Sequence, residues 1–371
     1  MKIAFDAKRI FNNPTGLGNF SRALIDHLHY YFPENEYLLF TPDIGSAGDY
    51  ERYRDRFTTI ESKTRFKNIW RSYSIRKDIE SAAVDVFHGL SNEIPFWLRN
   101  TKTVVTIHDT IFKVLPDTYP QLDRWLYEEK TRYACKYADA VITISEHTKK
   151  DLVRFFGIAP ERVRVIYQAC DPVYYKTEKL PFSKLPGYLD DLPSEFMLYV
   201  GSVIPRKNLL TLIKAIERLP IGQQLPLLVV GSGKHYKKKI ESYLLTNRMQ
   251  HLIHWIPPKI GKEALKVLYS KALLTIYPSL YEGFGLPVVE SILCETPVIT
   301  SNTSALSEAG GQSAVYIDPL NAAELQSAIL RILNDYSYYK EQVKKGRQEA
   351  LKKFDPEICT GKVVEVYRSL V

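Results

Sequence analysis

Apolar residues fall in short runs, separated by longer stretches where they recur every three or four positions. Strand-like runs occur at Ile3–Phe5, Tyr37–Phe40, Val84–His88, Thr103–Ile107, Ala140–Ile144 and Val163–Tyr167. Helical spacing lies between most of them, as in Phe20 to Leu28 and Arg124 to Tyr137. This alternation predicts βαβ units and a parallel sheet. After a stretch containing Pro and Asp, Asp171 to Glu195, a second series begins: Phe196–Val200, Leu227–Val230, Leu252–Trp255, Leu273–Tyr277, Val298–Thr300 and Ala314–Ile317. Leu209, Leu212, Ile213 and Ile216 keep the i, i+3, i+4, i+7 rule of one helix face. Asn321 with Glu324 reads as a capped helix start, and Ser145 as the cap of another. Pro356 to Leu370 reads as a final helix with Val363, Val366 and Tyr367 on one face. The pattern predicts an α/β protein of two doubly wound domains, 1–175 and 190–355, facing each other across a cleft. Ligands of such sheets bind beyond the carboxyl ends of the strands.

Composition narrows the class. At 371 residues the chain exceeds what one core usually supports. With 45% hydrophobic and 25% charged residues it reads as an ordinary soluble protein. Its N-terminal apolar run is too short for a signal peptide, and no window is long enough to span a membrane. Cys135, Cys170, Cys294 and Cys359 are scattered without metal-ligand spacing, as expected of reduced structural thiols in the cytoplasm.

One stretch concentrates the chemistry. The strand-like run ending at Tyr277 leads through Glu282, Gly283, Phe284, Gly285 and Leu286 into a helix expected to open at Pro287. Glycines let the backbone approach a ligand, and the helix mouth is an anion site. Glu282 precedes the helix and Glu290 lies one turn inside it, seven residues between them. Acids at such a mouth suit sugar or ribose hydroxyls rather than phosphate. Taken alone, two solvated glutamates beside a tight turn would read the same way.

Other segments end at strand termini. Gly16-Leu17-Gly18, in the run Asn12 to Arg22, reads as a glycine loop opening a helix. Ser21 stands where a dinucleotide fingerprint needs a third glycine. His108 follows the run Thr103–Ile107 and is a candidate ligand contact; His88 is a weaker one. Arg206 and Lys207 lie after the first strand of the second half, where adjacent cations can stabilise a leaving diphosphate. No Asp-x-Asp occurs, which argues against a carboxylate-held divalent ion, and no histidine spacing suggests a metal site. Gly231-Ser232-Gly233-Lys234 is too short for a phosphate-binding Walker loop and reads as a strand-to-helix turn lining the cleft.

Together these residues resemble the retaining glycosyltransferases of family 4, the group 1 transferases, of GT-B fold. The likeness covers nearly the whole chain. It rests most on Glu282-x7-Glu290, with Thr296-Pro297-Val298, Glu308-Ala309-Gly310-Gly311 and Gly201 to Asn208 in support. Two departures stand out: Ala169 replaces a usual glycine, and Ser202 replaces an arginine. The resemblance implies that residues 356–371 cross back to the first domain. It implies that Glu282 contacts the donor sugar, Glu290 holds the ribose hydroxyls, and His108 reaches the transferred sugar. Arg206 and Lys207 would grip the diphosphate, helped by backbone N–H groups near Gly285 and Leu286, with Gly16–Gly18 closing over it. The implied reaction moves a hexose, mannose by general likeness to bacterial polysaccharide enzymes using GDP-mannose, with retention at the anomeric carbon. No metal or other cofactor is expected.

Between Arg52 and Lys77 stand nine Lys/Arg against two acids, interleaved with Phe57, Phe66, Trp70 and Tyr73. Such a stretch suits an anionic membrane surface or a lipid-linked glycan acceptor, or is a solvated charged helix. Peripheral contact with the inner face of the plasma membrane follows from the first reading. Nucleic acid is disfavoured by the modest net charge of +8 and the absence of a recognition motif. An epimerase-like or phosphorylase-like nucleotide-sugar enzyme, or a binding protein without turnover, are the alternatives.

Overall fold

A computed structural model describes residues 1–13, 16–44, 51–178, 186–189, 192–257 and 260–371. The chain divides into two compact units, one of Met1–Ala169 with Phe354–Val371 and one of Cys170–Lys353. Each is built on a parallel sheet.

In the first unit the described strands are β1 (Lys2–Asp6), β2 (Glu36–Thr41), β3 (Thr58–Glu61), β4 (Val86–Gly89), β5 (Lys102–Ile107), β6 (Ala140–Thr143) and β7 (Val163–Val165). They pair in the order β3-β2-β1-β4-β5-β6-β7, all parallel. β3 is the strand the apolar pattern does not announce. Its four residues, Thr-Thr-Ile-Glu, form an edge strand with no fully buried position, so no apolar run marks it. The helix Gly16–Tyr31 packs Leu24, Ile25 and Leu28 onto Phe5 and Leu39. The last helix, Pro356–Arg368, joins that same core through Val363, Val364, Val366 and Tyr367. Asp355 caps it by accepting from the Ile358 N–H at 2.9 Å.

In the second unit they are β8 (Met197–Val200), β9 (Leu227–Val230), β10 (Ile253–Ile256), β11 (Leu274–Tyr277), β12 (Val298–Ser301) and β13 (Val315–Ile317). Their order is β10-β9-β8-β11-β12-β13, again all parallel. β8, β9, β11 and β12 are buried at every position, as strands covered by helices on both faces must be. Leu209, Leu212, Ile213 and Ile216, the predicted helix face, are all fully buried in this core. Asn321 caps as expected, accepting from the Ala323 and Glu324 N–H groups at 3.1 Å each. Gly231 and Gly233 have a steric cause: a Cβ there would lie 2.0 Å from the Gly201 carbonyl oxygen and 2.1 Å from that of Val203. The turns leaving β8 and β9 touch backbone to backbone, and only glycine permits it.

Candidate active site

Strand order in the second sheet reverses between β8 and β11, so their carboxyl ends lie side by side. That is where an open α/β sheet places its ligand. From β8 the chain makes one tight turn, Pro205–Lys207, before the helix Leu209–Glu217. From β11 it runs through residues 278–285 into the helix Leu286–Leu293. The Leu280 N–H donates to the Arg206 carbonyl at 2.9 Å and stitches the two turns together.

Arg206, Lys207 and Glu282 converge there. Arg206 Nη1 lies 2.8 Å and Lys207 Nζ 2.6 Å from one oxygen, Glu282 Oε1. That oxygen is buried and has no aligned hydrogen bond, so these are contacts of charge with charge. Arg206 also donates to the Tyr281 carbonyl at 2.7 Å. Lys207 donates to the Tyr277 hydroxyl, and its ammonium lies 4.7 Å from the centre of that ring. Burial alone would raise the Glu282 carboxyl, but Lys207 and Arg206 outweigh it and bring it down to about 2. At neutral pH these three side chains carry two positive charges against one negative.

The turn into the helix is as glycine-dependent as its sequence suggests. Gly285 has φ +119°, and a Cβ on it would lie 2.7 Å from Leu306 Cδ2. The helix opens at Leu286, one residue before the expected Pro287, which occupies its second position. Phe284 is buried, so beside Gly283 and Gly285 the turn offers a ligand its backbone. Glu290 is partly buried on another side of this helix and shares no partner with Glu282. It accepts from the Tyr269 hydroxyl at 2.9 Å. Burial pushes its carboxyl up to about 7, against the lowering effect of that hydrogen bond.

In the first unit Gly16, Leu17 and Gly18 form the first turn of a helix rather than a loop. Pro14 and Thr15 of that motif lie outside the described residues. A Cβ on Gly18 would meet the Asn13 carbonyl oxygen at 1.8 Å, so this glycine serves the chain's own packing, whereas Gly16 faces open space. One turn on, Phe20 packs edge-on against His108, ring centres 4.6 Å apart. The motif and the histidine are therefore neighbours. His108 donates from Nε2 to the Leu90 carbonyl at 2.9 Å, which leaves Nδ1 as an acceptor. Burial holds its pKa down at about 4, so it is neutral at physiological pH. His88, by contrast, is a core residue. Its ring nitrogens meet the Tyr367 hydroxyl at 2.6 Å and the Thr106 hydroxyl at 2.8 Å.

The basic stretch 52–77 is not one patch. Arg71 is buried, ion-paired to Asp6 and Glu93, and so faces no surface. Arg52 and Arg56 pair with Asp26, Arg54 with Asp55, and Lys67 with Asp43. Trp70 is buried too, its indole donating to Asp78 at 2.7 Å. Exposed cations and large apolar side chains outside those ion pairs are Lys63, Arg65, Phe66, Ile69, Tyr73 and Lys77.

The model of the group 1 glycosyl transferases matches residues 188–349, and that of Glycosyltransferase Family 4 matches residues 15–174. The chain belongs to these glycosyltransferases. It is 28% identical over 288 residues to O-antigen chain mannosyltransferase B of Escherichia coli, covering 77% of this chain and 74% of that one. With O-antigen chain mannosyltransferase RfbU of Salmonella typhimurium it shares 26% over 237 residues, 63% of this chain and 61% of the other. The structure of Anabaena HepE in complex with UDP-glucose matches all of this chain and all of its own, at a TM-score of 0.78 and 18% identity. That likeness establishes the fold, the GT-B fold.

Within this glycosyltransferase, two positioning residues escaped the sequence reading. Asn208 has φ +58° and donates to the carbonyls of Pro278 (3.1 Å) and Pro319 (2.6 Å), tying the Arg206-Lys207 turn to β11 and to the segment after β13. Asn92, at φ +57°, accepts from the His108 N–H at 3.1 Å and donates to the Asp109 carbonyl at 3.2 Å. Each is a single asparagine in left-handed backbone beside a strand end; that conformation, which asparagine tolerates, is not written in apolar spacing.

Proposed function

We propose that the protein transfers mannose from GDP-mannose, with retention at the anomeric carbon, to a glycan or lipid-linked acceptor in bacterial surface-polysaccharide synthesis. The observation that carries this is the pair of cations at the β8–β11 switch point, held by one ionised glutamate. The relatives named as O-antigen mannosyltransferases support the sugar and the pathway class.

In this reading the diphosphate takes Arg206 and Lys207, which Glu282 holds in place beforehand and which stabilise the leaving charge without a metal. Backbone N–H groups at Gly285 and Leu286 add to that grip, as does the helix end at Gly16–Gly18. Glu282 also faces the donor sugar, Glu290 receives the ribose hydroxyls, and neutral His108 accepts from a sugar hydroxyl. The acceptor oxygen bonds to the anomeric carbon on the face the diphosphate leaves. The carbon–phosphate oxygen bond breaks, and the acceptor's proton passes to the departing phosphate. The enzyme works at the cytoplasmic face, touching the membrane through the exposed part of residues 52–77. Among the described residues no helix is long and apolar enough to cross it.

The test incubates the protein in EDTA with GDP-, UDP- and ADP-sugars and a glycan acceptor, recording nucleoside diphosphate release and the anomer formed. Release from GDP-mannose alone, with retained configuration, is expected. Turnover that appears only on adding Mg²⁺ or Mn²⁺ would overturn the metal-free mechanism, and a UDP-sugar donor would overturn the assignment of the base.

A further inference from the structure

Glu290 is held differently from every other acid near the site. The helix Lys262–Lys271 runs beside Leu286–Leu293 and carries Tyr269, which is fully buried. Its hydroxyl donates to Glu290 Oε2 at 2.9 Å, and no partner takes Oε1 among the described residues. Tyr269 is itself locked. Its carbonyl accepts from the Thr296 hydroxyl at 2.6 Å, and its ring meets that of buried Tyr174 edge-on at 6.0 Å. Burial and the neighbouring Glu290 push its phenol well above the ordinary value, so it remains a donor across the working range.

We infer that Tyr269 is a positioning residue for ribose recognition: it fixes one oxygen of Glu290 so that the other is presented to the ribose hydroxyls. The inference rests on the reading that Glu290 holds the ribose. A carboxylate swinging free in a partly buried site would lose rotamer entropy on taking a diol; one already held by a rigid donor does not. Tyr269 has a second effect through charge. A hydrogen bond to the carboxylate favours its ionised form, the form that can accept from two hydroxyls. The other groups acting on Glu290 are Asp171, which opposes ionisation, and Lys262, which favours it; these two form an ion pair. Tyr174 and Cys294 also face it and stay neutral, both pushed up by burial. Arg347, from the helix Tyr336–Lys353, is engaged with the Leu293 carbonyl at 2.9 Å.

The test compares wild type, Tyr269→Phe and Glu290→Gln by calorimetric titration with GDP, UDP and ADP and their 2′-deoxy counterparts, between pH 5.5 and 8.5. For the nucleotide that binds, wild type should prefer the ribose form about tenfold or more, and affinity should fall below a midpoint near neutral pH. Tyr269→Phe, still folded by thermal melt, should shrink that preference at least threefold and move the midpoint to higher pH. Glu290→Gln should abolish both the preference and the midpoint. If Tyr269→Phe keeps both at wild-type values while Glu290→Gln loses them, Tyr269 is only a packing residue and the inference fails. If wild type itself ignores the 2′-hydroxyl, the ribose reading of Glu290 fails and the inference goes with it.

Discussion

Arg206 and Glu282 stand at the carboxyl ends of two adjacent parallel strands, 2.8 Å apart, and Lys207 shares the same glutamate oxygen at 2.6 Å. Two cations side by side in a partly buried turn repel each other, and the carboxylate between them removes that cost. It also fixes where their charge points. In the proposed mechanism an incoming diphosphate would bring its own negative oxygens to cations that are already partly desolvated and aligned, so little reorganisation would remain when charge develops on the leaving group.

The two sides of this triad therefore respond differently to mutation. Glu282→Gln keeps the shape and removes the charge. Nucleoside diphosphate affinity should hold or rise a few-fold, because the cations are no longer shared, while turnover falls by about 10²–10³. Arg206→Ala should instead weaken diphosphate binding at least tenfold along with turnover. Calorimetric titration beside an assay of diphosphate release separates the two patterns; equal loss of affinity in both variants would contradict the arrangement.

The glutamates of one motif also titrate in opposite senses. Glu282 is held down at about 2 in the folded protein, so folding favours its ionised form. That stabilisation is complete above the unfolded value of 4.5 and is lost as pH falls from there towards 2; it amounts to about 3 kcal/mol. Glu290 is pushed up to about 7, so folding favours its protonated form, and its ionisation costs stability as pH rises from 4.5 through 7. Its partial exposure reduces that cost to about 1–2 kcal/mol. Urea midpoints should show Glu290→Gln more stable than wild type at pH 8 and nearly equal to it at pH 4.5. Glu282→Gln should be less stable at pH 7, and the difference should shrink below pH 4.5 and close only as pH approaches about 2.

Much of this was legible in the chain. Parallel strands buried on both faces read as apolar runs, and twelve of the thirteen described strands announce themselves that way. The thirteenth, β3, is a half-exposed edge of four residues inside a charged stretch. Glu282, Arg206 and Lys207 were identifiable because they follow strands directly, and sheet topology decides which strand ends are neighbours. Burial was not legible. Arg71 looks like its neighbours Arg65 and Lys67 in sequence, yet it is sealed against Asp6 and Glu93. His88 and His108 both end strands, and only the packing of Tyr367 and Thr106 shows that one is core.

Asn208 makes a separate case for backbone over side-chain pattern. Asn208→Gly keeps φ +58° without strain and loses the bonds to Pro278 and Pro319; Asn208→Ala loses those bonds and adds a strained backbone. The alanine variant should lose about 2–4 kcal/mol and the glycine variant about 1–2. Urea unfolding measures both, and turnover should fall in each because the Arg206-Lys207 turn loses its anchor. Alanine at least as stable as glycine would rule out this role.

The buried histidines give the first unit an acid-sensitive core. Burial holds His88 at about 3 and His108 at about 4, so folding favours their neutral forms. The stability this represents is present above the unfolded value near 6.5 and drains as pH falls below it, by about 1.4 kcal/mol per pH unit for each histidine. Replacing His88 with Gln should cut that slope by about half between pH 6 and 5 while leaving turnover of the folded enzyme unchanged at pH 7. His108→Gln should cut the slope similarly but lower turnover. A His88 variant that folds normally and loses activity would show that its place in the core is not its whole role.

The proposed membrane contact would rest on a smaller surface than the count of cations suggests. Phe66, Ile69 and Trp97 are 71%, 55% and 59% exposed, and Tyr73 lies 5.5 Å from Trp97. Lys63 and Arg65 are exposed beside Phe66, whereas Arg52, Arg54, Arg56 and Lys67 already have acidic partners. Each unpaired cation near an anionic surface contributes about 1 kcal/mol. Lys63→Glu with Arg65→Glu should therefore lower binding to anionic vesicles at least tenfold in sedimentation, and Phe66→Ser with Trp97→Ser should lower it further. Vesicles of neutral lipid should bind weakly throughout, and turnover on a soluble acceptor should not change. Arg71→Glu must be left out of such a series: it strands Asp6 and Glu93 without their cation and should unfold the first unit at a cost of about 3–5 kcal/mol or more. Unchanged binding to anionic vesicles in both double variants would remove this surface from the membrane and leave it as solvated charge.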